Sequence, residues 1–195
     1  MASKVKFTEM KYGTKEDYLL LHKHEKKYAG ETAYRILKFM SGLNETLEGY
    51  QVSRLEHSLQ TATRALRAGE CEEIVVAALL HDIGDILAPL NHAAIAAEIL
   101  KPFVSRQVHW MLEKHAVFQG YYFWDKVGLD KNARDKYRGH PAFEMTERFC
   151  GEYDQTSSDP NYDTLALETF LPMVERVFGR EPWGPHSRSE WPLED

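Results

Sequence analysis

Six residues spread along the chain are the ones whose chemistry could converge: His57, the adjacent pair His81-Asp82, His92, His115 and Asp154. The pair is the sharpest signal. It closes the apolar run of "VVAALLHDIGDILAP", where Val75 to Leu80 are followed at once by an imidazole and a carboxylate. Burying two such groups is costly unless something pairs with them, and a metal ion is the strongest candidate. Neutral imidazole and carboxylate suit Fe, Mn, Co, Ni and Zn. A carboxylate carries two oxygens, so Asp82 could bridge two ions. Adjacent helical residues are about 100° apart, so His81 and Asp82 cannot share a direction, yet both can reach a site near a helix end. Taken singly, each residue also has a plainer role. His81-Asp82 could be a hydrogen-bonded helix end, His57 a satisfied core histidine, His92 a surface helix start and His115 a solvated helix end. Asp154 competes with Glu152, Asp159 and Asp163 in the same segment.

Separate elements must bring these positions together, and nearly every periodic segment reads as helix. Helices are expected over 14–27 and 31–43, separated by Gly30. Next comes "SRLEHSLQTATRALRAG", where Ser53 and Glu56 form a capping-box pattern, Leu55, Leu59, Ala62 and Leu66 an apolar stripe, and Gly69 a stop. A buried helix over 72–83 should end at Gly84. Asn91 can cap a helix to Leu100, which Pro102 prevents from continuing, and Ser105 can cap "RQVHWMLEKHAVF". Residues 120–139 read as a long aromatic and charged connection with one short helix at most. Its aromatic run, Tyr121 to Trp124, packs a loop or walls a pocket; Lys126, Arg134, Lys136 and Arg138 read as a solvated face, with contact to an anionic group as the alternative. Pro141 suits the first turn of a helix to about Cys150. "YDQTSSDPNYD" reads as a polar loop, after which Asp163 caps "TLALETFLPMVERVF" and Pro172 should kink or break that helix. No segment shows a strand period, so the fold class is all-α, one bundle-like domain. The main domain is expected over 1–178 with the site core at about 50–163. A Pro-rich tail, 179–195, should be extended or disordered.

Composition narrows the partners. Of 195 residues, 43% are hydrophobic and 28% charged, and the formal net charge is −6, which argues against general binding to nucleic acid or anionic membranes. No apolar run approaches a membrane helix, and the first residues lack a signal-peptide core. Cys71 and Cys150 have no metal-type spacing, and Cys150 reads as a small core residue. A cytoplasmic enzyme acting on a small molecule is the expectation, with the oligomeric state open.

The order His…His-Asp…His…His…Asp, carried by "RLEHSLQTA", "AALLHDIGD", "LNHAAIAAEIL", "LEKHAVF" and "YDQ", resembles the HD-domain superfamily over roughly residues 50–163. Within it, "LEHSLQ" and "AALLHDIG" look most like the phosphonate-cleaving mixed-valent diiron oxygenases, relatives of myo-inositol oxygenase. The resemblance implies an HD-domain helical bundle with two irons in an Fe(II)/Fe(III) state bridged by Asp82, one held by His57, His81 and Asp154, the other by His92 and His115. It implies O2-dependent oxidation of a small hydroxylated substrate with C–C or C–P cleavage. Tyr50, Asp82, Asp85 and Gln119 are then the candidates for a catalytic role. The sequence departs from the family where a tyrosine and a glutamate become Leu47 and Tyr50. It departs again where two phosphonate-holding cations become Gln119 and Gly151, and where a basic residue becomes Asp85. The alternative is a metal-dependent phosphohydrolase on a nucleotide or phosphate ester, with Mn, Co, Ni or Zn; a non-catalytic metal-binding domain is a third reading.

Overall fold

The computed structural model describes residues 4–45 and 47–187, and among them the regular structure is helical with no strand. The α-helices run α1 (Lys15–Gly30), α2 (Thr32–Met40), α3 (Arg54–Arg67), α4 (Glu72–Leu80), α5 (His92–Leu100), α6 (Arg106–Gln119), α7 (Phe143–Arg148) and α8 (Leu171–Phe178). Short 3-10 turns fill many of the connections, and a π-helical turn, Phe149–Asp154, extends α7. None of the described helices is long and apolar enough to cross a membrane.

Helix α4 is the centre of the bundle. After Glu72 and Glu73 its residues are apolar on every side, and every one from Ile74 to Leu80 is buried as the helix packs among α3, α6 and α8. Burial of side chains such as Leu79 and Leu80 stabilises the fold by about 1.5–3 kcal/mol each. Helix α3 turns Leu59, Ala62 and Ala65 inward, with Leu55 and Leu66 partly covered. Ser53 and Ser105 cap α3 and α6 by accepting from the N–H groups of Glu56 (3.1 Å) and Val108 (3.3 Å). The box expected at Ser53 is half made, because the Glu56 carboxylate accepts from Gln60 and Thr164 instead.

Several boundaries differ from the sequence pattern. Gly30 ends α1 without a break in the chain's course, and α2 tightens into a 3-10 turn, Ser41–Glu45. Helix α4 stops at Leu80 rather than at Ile83, because Asp82 (φ −102°, ψ 9°) leaves the helical region. Gly84 therefore does not terminate the helix. It lies in the 3-10 turn Ile83–Ile86 against the start of α5, where a Cβ would stand 2.5 Å from His92 Cα. Asn91 precedes α5, but its side chain makes no capping bond.

The connection 120–139 holds three 3-10 turns, Gly120–Tyr122, Trp124–Val127 and Ala133–Tyr137. Its aromatics pack only in part: the Tyr121 ring lies 3.7 Å from the Arg134 guanidinium, while Phe123 stays exposed. Arg134 is buried and paired with Glu147 at 3.0 Å, so it does not belong to a solvated face. The expected loop at 153 starts later, since Gln155 N–H donates to the Cys150 carbonyl, five residues back, and carries the helix through Asp154. The Asp163 cap does not form. A 3-10 turn, Leu167–Thr169, intervenes, and Pro172 lies in the first turn of α8, where its missing N–H costs nothing. The described part of the tail, 179–187, is bonded to the turn after α5. Arg180 donates to the Phe103 carbonyl (3.0 Å) and Trp183 N–H to that of Pro102 (2.8 Å). Trp191 and Pro192 lie outside the described residues.

Candidate metal centre

Four imidazoles meet at the inner end of α4, and each is aimed by its Nδ1. His81 donates from Nδ1 to the Ala78 carbonyl (2.8 Å), His92 to that of Pro89 (2.8 Å) and His115 to that of Leu112 (2.6 Å), in each case three residues back. His57 donates to Ser157, 100 residues further along the chain, at 2.7 Å. A carbonyl only accepts, so Nδ1 carries the hydrogen in all four and a neutral ring presents its Nε2 lone pair to the interior.

Those lone pairs come in two pairs. His57 Nε2 and His81 Nε2 are 3.1 Å apart; His92 Nε2 and His115 Nε2 are 3.3 Å apart. Asp82 lies between the pairs. Its Oδ2 is 3.4 Å from His57 and 3.3 Å from His81, while its Oδ1 is 3.5 Å from His92 and 3.6 Å from His115. Asp154 Oδ1 joins the first pair, at 3.2 Å from His57 and 3.6 Å from His81. His81 and His115 also share a cluster with Asp82, so the two groups are contiguous. The break at Asp82 explains how a helix can end in His-Asp: the two side chains leave from different backbone geometries and reach the same interior point.

The donor set can be tested against a metal. Two donors each about 2.1 Å from one ion, at tetrahedral or octahedral angles, stand roughly 3.0–3.4 Å apart. The imidazole pairs have that spacing, and nitrogen lone pairs this close repel unless a cation or proton lies between them. Two carboxylate oxygens, Asp82 Oδ2 and Asp154 Oδ2, are buried without a partner in hydrogen-bond geometry. For Asp82 Oδ2 this holds although Arg54 Nη2 is 2.6 Å away, so that contact is an ion pair rather than a directed bond. The residues fit a centre of positive charge.

Electrostatics agrees. Burial alone would lower the His81 pKa, but the carboxylates of Asp82 and Asp154 prevail and push it up to about 10. Burial would raise Asp82 and Asp154, yet His81 and its neighbours hold both below the usual carboxylate range. Phe149 walls His81 and His115, with ring centroids at 5.8 and 6.4 Å, which keeps water out and the dielectric low. Cys150 is a core residue whose thiol donates to the His115 carbonyl, and burial raises its pKa well above the usual value.

Of the further candidates, Asp85 is buried with Oδ1 3.5 Å from His92 Nδ1. Gln119 donates from Nε2 to Asp154 Oδ1 (2.9 Å). Gly151 leaves space that the Tyr122 hydroxyl fills, 2.7 Å from where a Cβ would stand. Tyr50 is mostly exposed and meets the centre through Arg54, whose guanidinium lies 5.1 Å from its ring. Arg54 escaped the sequence reading. Its Nη2 is the closest cationic atom to Asp82 and its Nε donates to Asp85 Oδ2 at 3.0 Å. The signal was its spacing, three residues before His57 on the same helix face.

Comparison with known proteins finds relatives of this chain. A (1-hydroxy-2-(trimethylamino)ethyl)phosphonate dioxygenase (glycine-betaine-forming) from Leisingera caerulea is 31% identical over 102 residues, covering 44% of this chain. The match takes in 52% of that protein, so the chain spans about half the length of this relative. A hydroxymethylphosphonate dioxygenase from Gimesia maris is 26% identical over 160 residues, 72% of this chain and 76% of that protein. The HD domain model matches residues 54–155, from Arg54 at the start of α3 to the residue after Asp154, which is more than half of the chain. The chain belongs to the HD domain family.

Proposed function

We propose that this chain is a dinuclear metalloenzyme that uses O2 to cleave a C–C or C–P bond of a small hydroxylated substrate. The observation that carries the reading is the position of Asp82, with one oxygen toward each imidazole pair. In it, His57, His81 and Asp154 would hold one ion, His92 and His115 the other, and Asp82 would serve both. Iron in that centre would supply the electron transfer and dioxygen binding that side chains lack. The chain does the rest. The four Nδ1 bonds fix tautomer and ring direction. Gln119 orients Asp154, and Phe149 keeps the floor apolar. The shallower His92 side is where a substrate hydroxyl can arrive. Support for oxidation over hydrolysis comes from the two relatives, both named as dioxygenases.

The test is protein purified without oxygen. Two irons per chain are expected, with the magnetic resonance signal of a coupled Fe(II)/Fe(III) pair after partial oxidation and O2 uptake in proportion to product. Rapid O2-independent hydrolysis of nucleotides by a Mn, Co or Ni form, with the iron form inert toward hydroxylated small molecules, would move the chain to the phosphohydrolases.

A further inference from the structure

We propose that Arg54 receives an anionic group of the substrate at the open edge of the centre, an inference that rests on the metalloenzyme reading above. The side chains of His57, His81, Asp82, Asp85, His115 and Asp154 are at most 6% exposed. Only two side chains of the cluster reach solvent appreciably, His92 at 21% and Arg54 at 14%. A molecule entering the centre therefore meets these two.

Charge decides what Arg54 can bind. In the structure its single positive charge serves two buried carboxylates, with Nη2 on Asp82 and Nε on Asp85. The Asp82 carboxylate, once neutralised by bound metal, would no longer need the guanidinium. Arg54 would then stand beside a positive centre with Asp85 as its counter-ion. An oxyanion restores the balance, and the guanidinium fork offers it paired donors. Asp85 fixes the Nε edge, so the fork is oriented before anything binds. The Tyr50 ring covers the guanidinium from outside, at 5.1 Å, and favours its charge.

Two other cations, Arg134 and Lys114, pair with glutamates outside the cluster, so bound metal would not release them. Arg134 is buried against Glu147 and Tyr121. Lys114, next to His115 in sequence, pairs with Glu113 at 2.8 Å. Gln119 is neutral. The ligand class is thus a small acid, a phosphonate or a carboxylate, whose hydroxyl-bearing carbon is close enough to the acid group for the hydroxyl to reach the centre while the acid lies on Arg54.

Calorimetric titration of the metal-loaded protein tests this. Methylphosphonate and acetate are the anionic probes and dimethyl methylphosphonate the neutral control, with metal content and melting temperature recorded for each variant. Wild type should bind at least one anion and discriminate against the neutral ester. Arg54→Gln should weaken the anion at least ten-fold and lose that discrimination with the metals retained, and Arg54→Lys should recover part of it. Asp85→Asn, nearly isosteric, removes the competing carboxylate and should tighten anion binding several-fold. Equal anion affinity in wild type and Arg54→Gln, weaker binding in Asp85→Asn, or equal binding of anion and ester by wild type would overturn the proposal. Should Arg54→Gln fail to fold, the opposite shifts expected of Arg54→Lys and Asp85→Asn decide it. Wild type that binds no metal would instead remove the reading on which the inference stands.

Discussion

His57, His81 and Asp154 form the deeper half of the centre and His92 with His115 the shallower, and the chain anchors them differently. The deep half depends on long-range bonds: His57 to Ser157 across 100 residues, and Asp154 to Gln119 across 35. All three of its side chains are buried. In the shallow half, His92 is aimed by a local bond to Pro89 in the preceding turn and stays partly open to solvent. Its place depends on Gly84 allowing the 83–86 turn to lie against the start of α5. The deep half also faces four donor atoms and the shallow half three. The contrast is one of anchoring: the deep half is set by partners far along the chain, while His92 stays partly open to solvent.

The largest effect should come from removing what joins the halves. Asp82→Ala is expected to reduce metal content from two ions per chain to one or none, by elemental analysis of the purified protein. Two ions retained would break the comparison, because Asp82 would then hold neither half. A finer cut separates them: His92→Ala should keep one tightly held ion, whereas His57→Ala should lose metal from the deep half and melt at lower temperature. In wild type a chelator should remove the ions in two phases, and release in one phase would show the halves to be equivalent.

Gly84→Ala sharpens the contrast by steric means. The new methyl has backbone on its far side, so the turn must shift, at a cost of roughly 1–3 kcal/mol. For a chain of this size that corresponds to a melting temperature lower by about 2–12 °C. Affinity at the His92 side should fall more than at the deep side.

The smallest expected effect is a change of pH profile. Without metal, His81 is raised from 6.5 to about 10, so its contribution is fully present below about pH 6.5 and is lost as pH rises through about 10. Asp82 and Asp154 are lowered from 3.8, so their contribution is present above about pH 4 and is lost as pH falls through their depressed values. Metal-free protein should therefore be most stable between about pH 4 and 6.5. Bound metal replaces the His81 proton, so the alkaline loss should vanish, and acid should release the ions as the imidazoles protonate. Thermal unfolding of both forms across this range checks the exchange; the same alkaline decline in both would contradict it.

Much of this was legible in the chain. The apolar run 74–80, the serines at 53 and 105 and the 3.6-residue stripe of α3 are local patterns, and local patterns carry helices. The spacing of His57, His81-Asp82, His92 and His115 pointed to one centre because each lay on a different helix. Less legible were the places where backbone and distant partners compete with local preference. Asp154 read as a loop residue, since a π turn has no clear sequence period. Pro172 read as a breaker, since only the position of the helix start decides whether its missing N–H matters. Tyr50 was placed by alignment with a family pattern, and the fold leaves it mostly exposed above Arg54.

The sequence by itself determined the all-helical class, the most buried helix and the residues whose types suit a metal, because hydrophobic period and side-chain chemistry are written residue by residue. Tertiary structure alone decided that Asp82 turns one oxygen toward each imidazole pair, that Ser157 rather than a neighbour sets the His57 ring, and that Arg54 rather than Tyr50 or Gln119 lies on the Asp82 carboxylate. Those are contacts between segments up to 100 residues apart. Their geometry follows from how α3, α4 and the π turn pack, and no single segment encodes it.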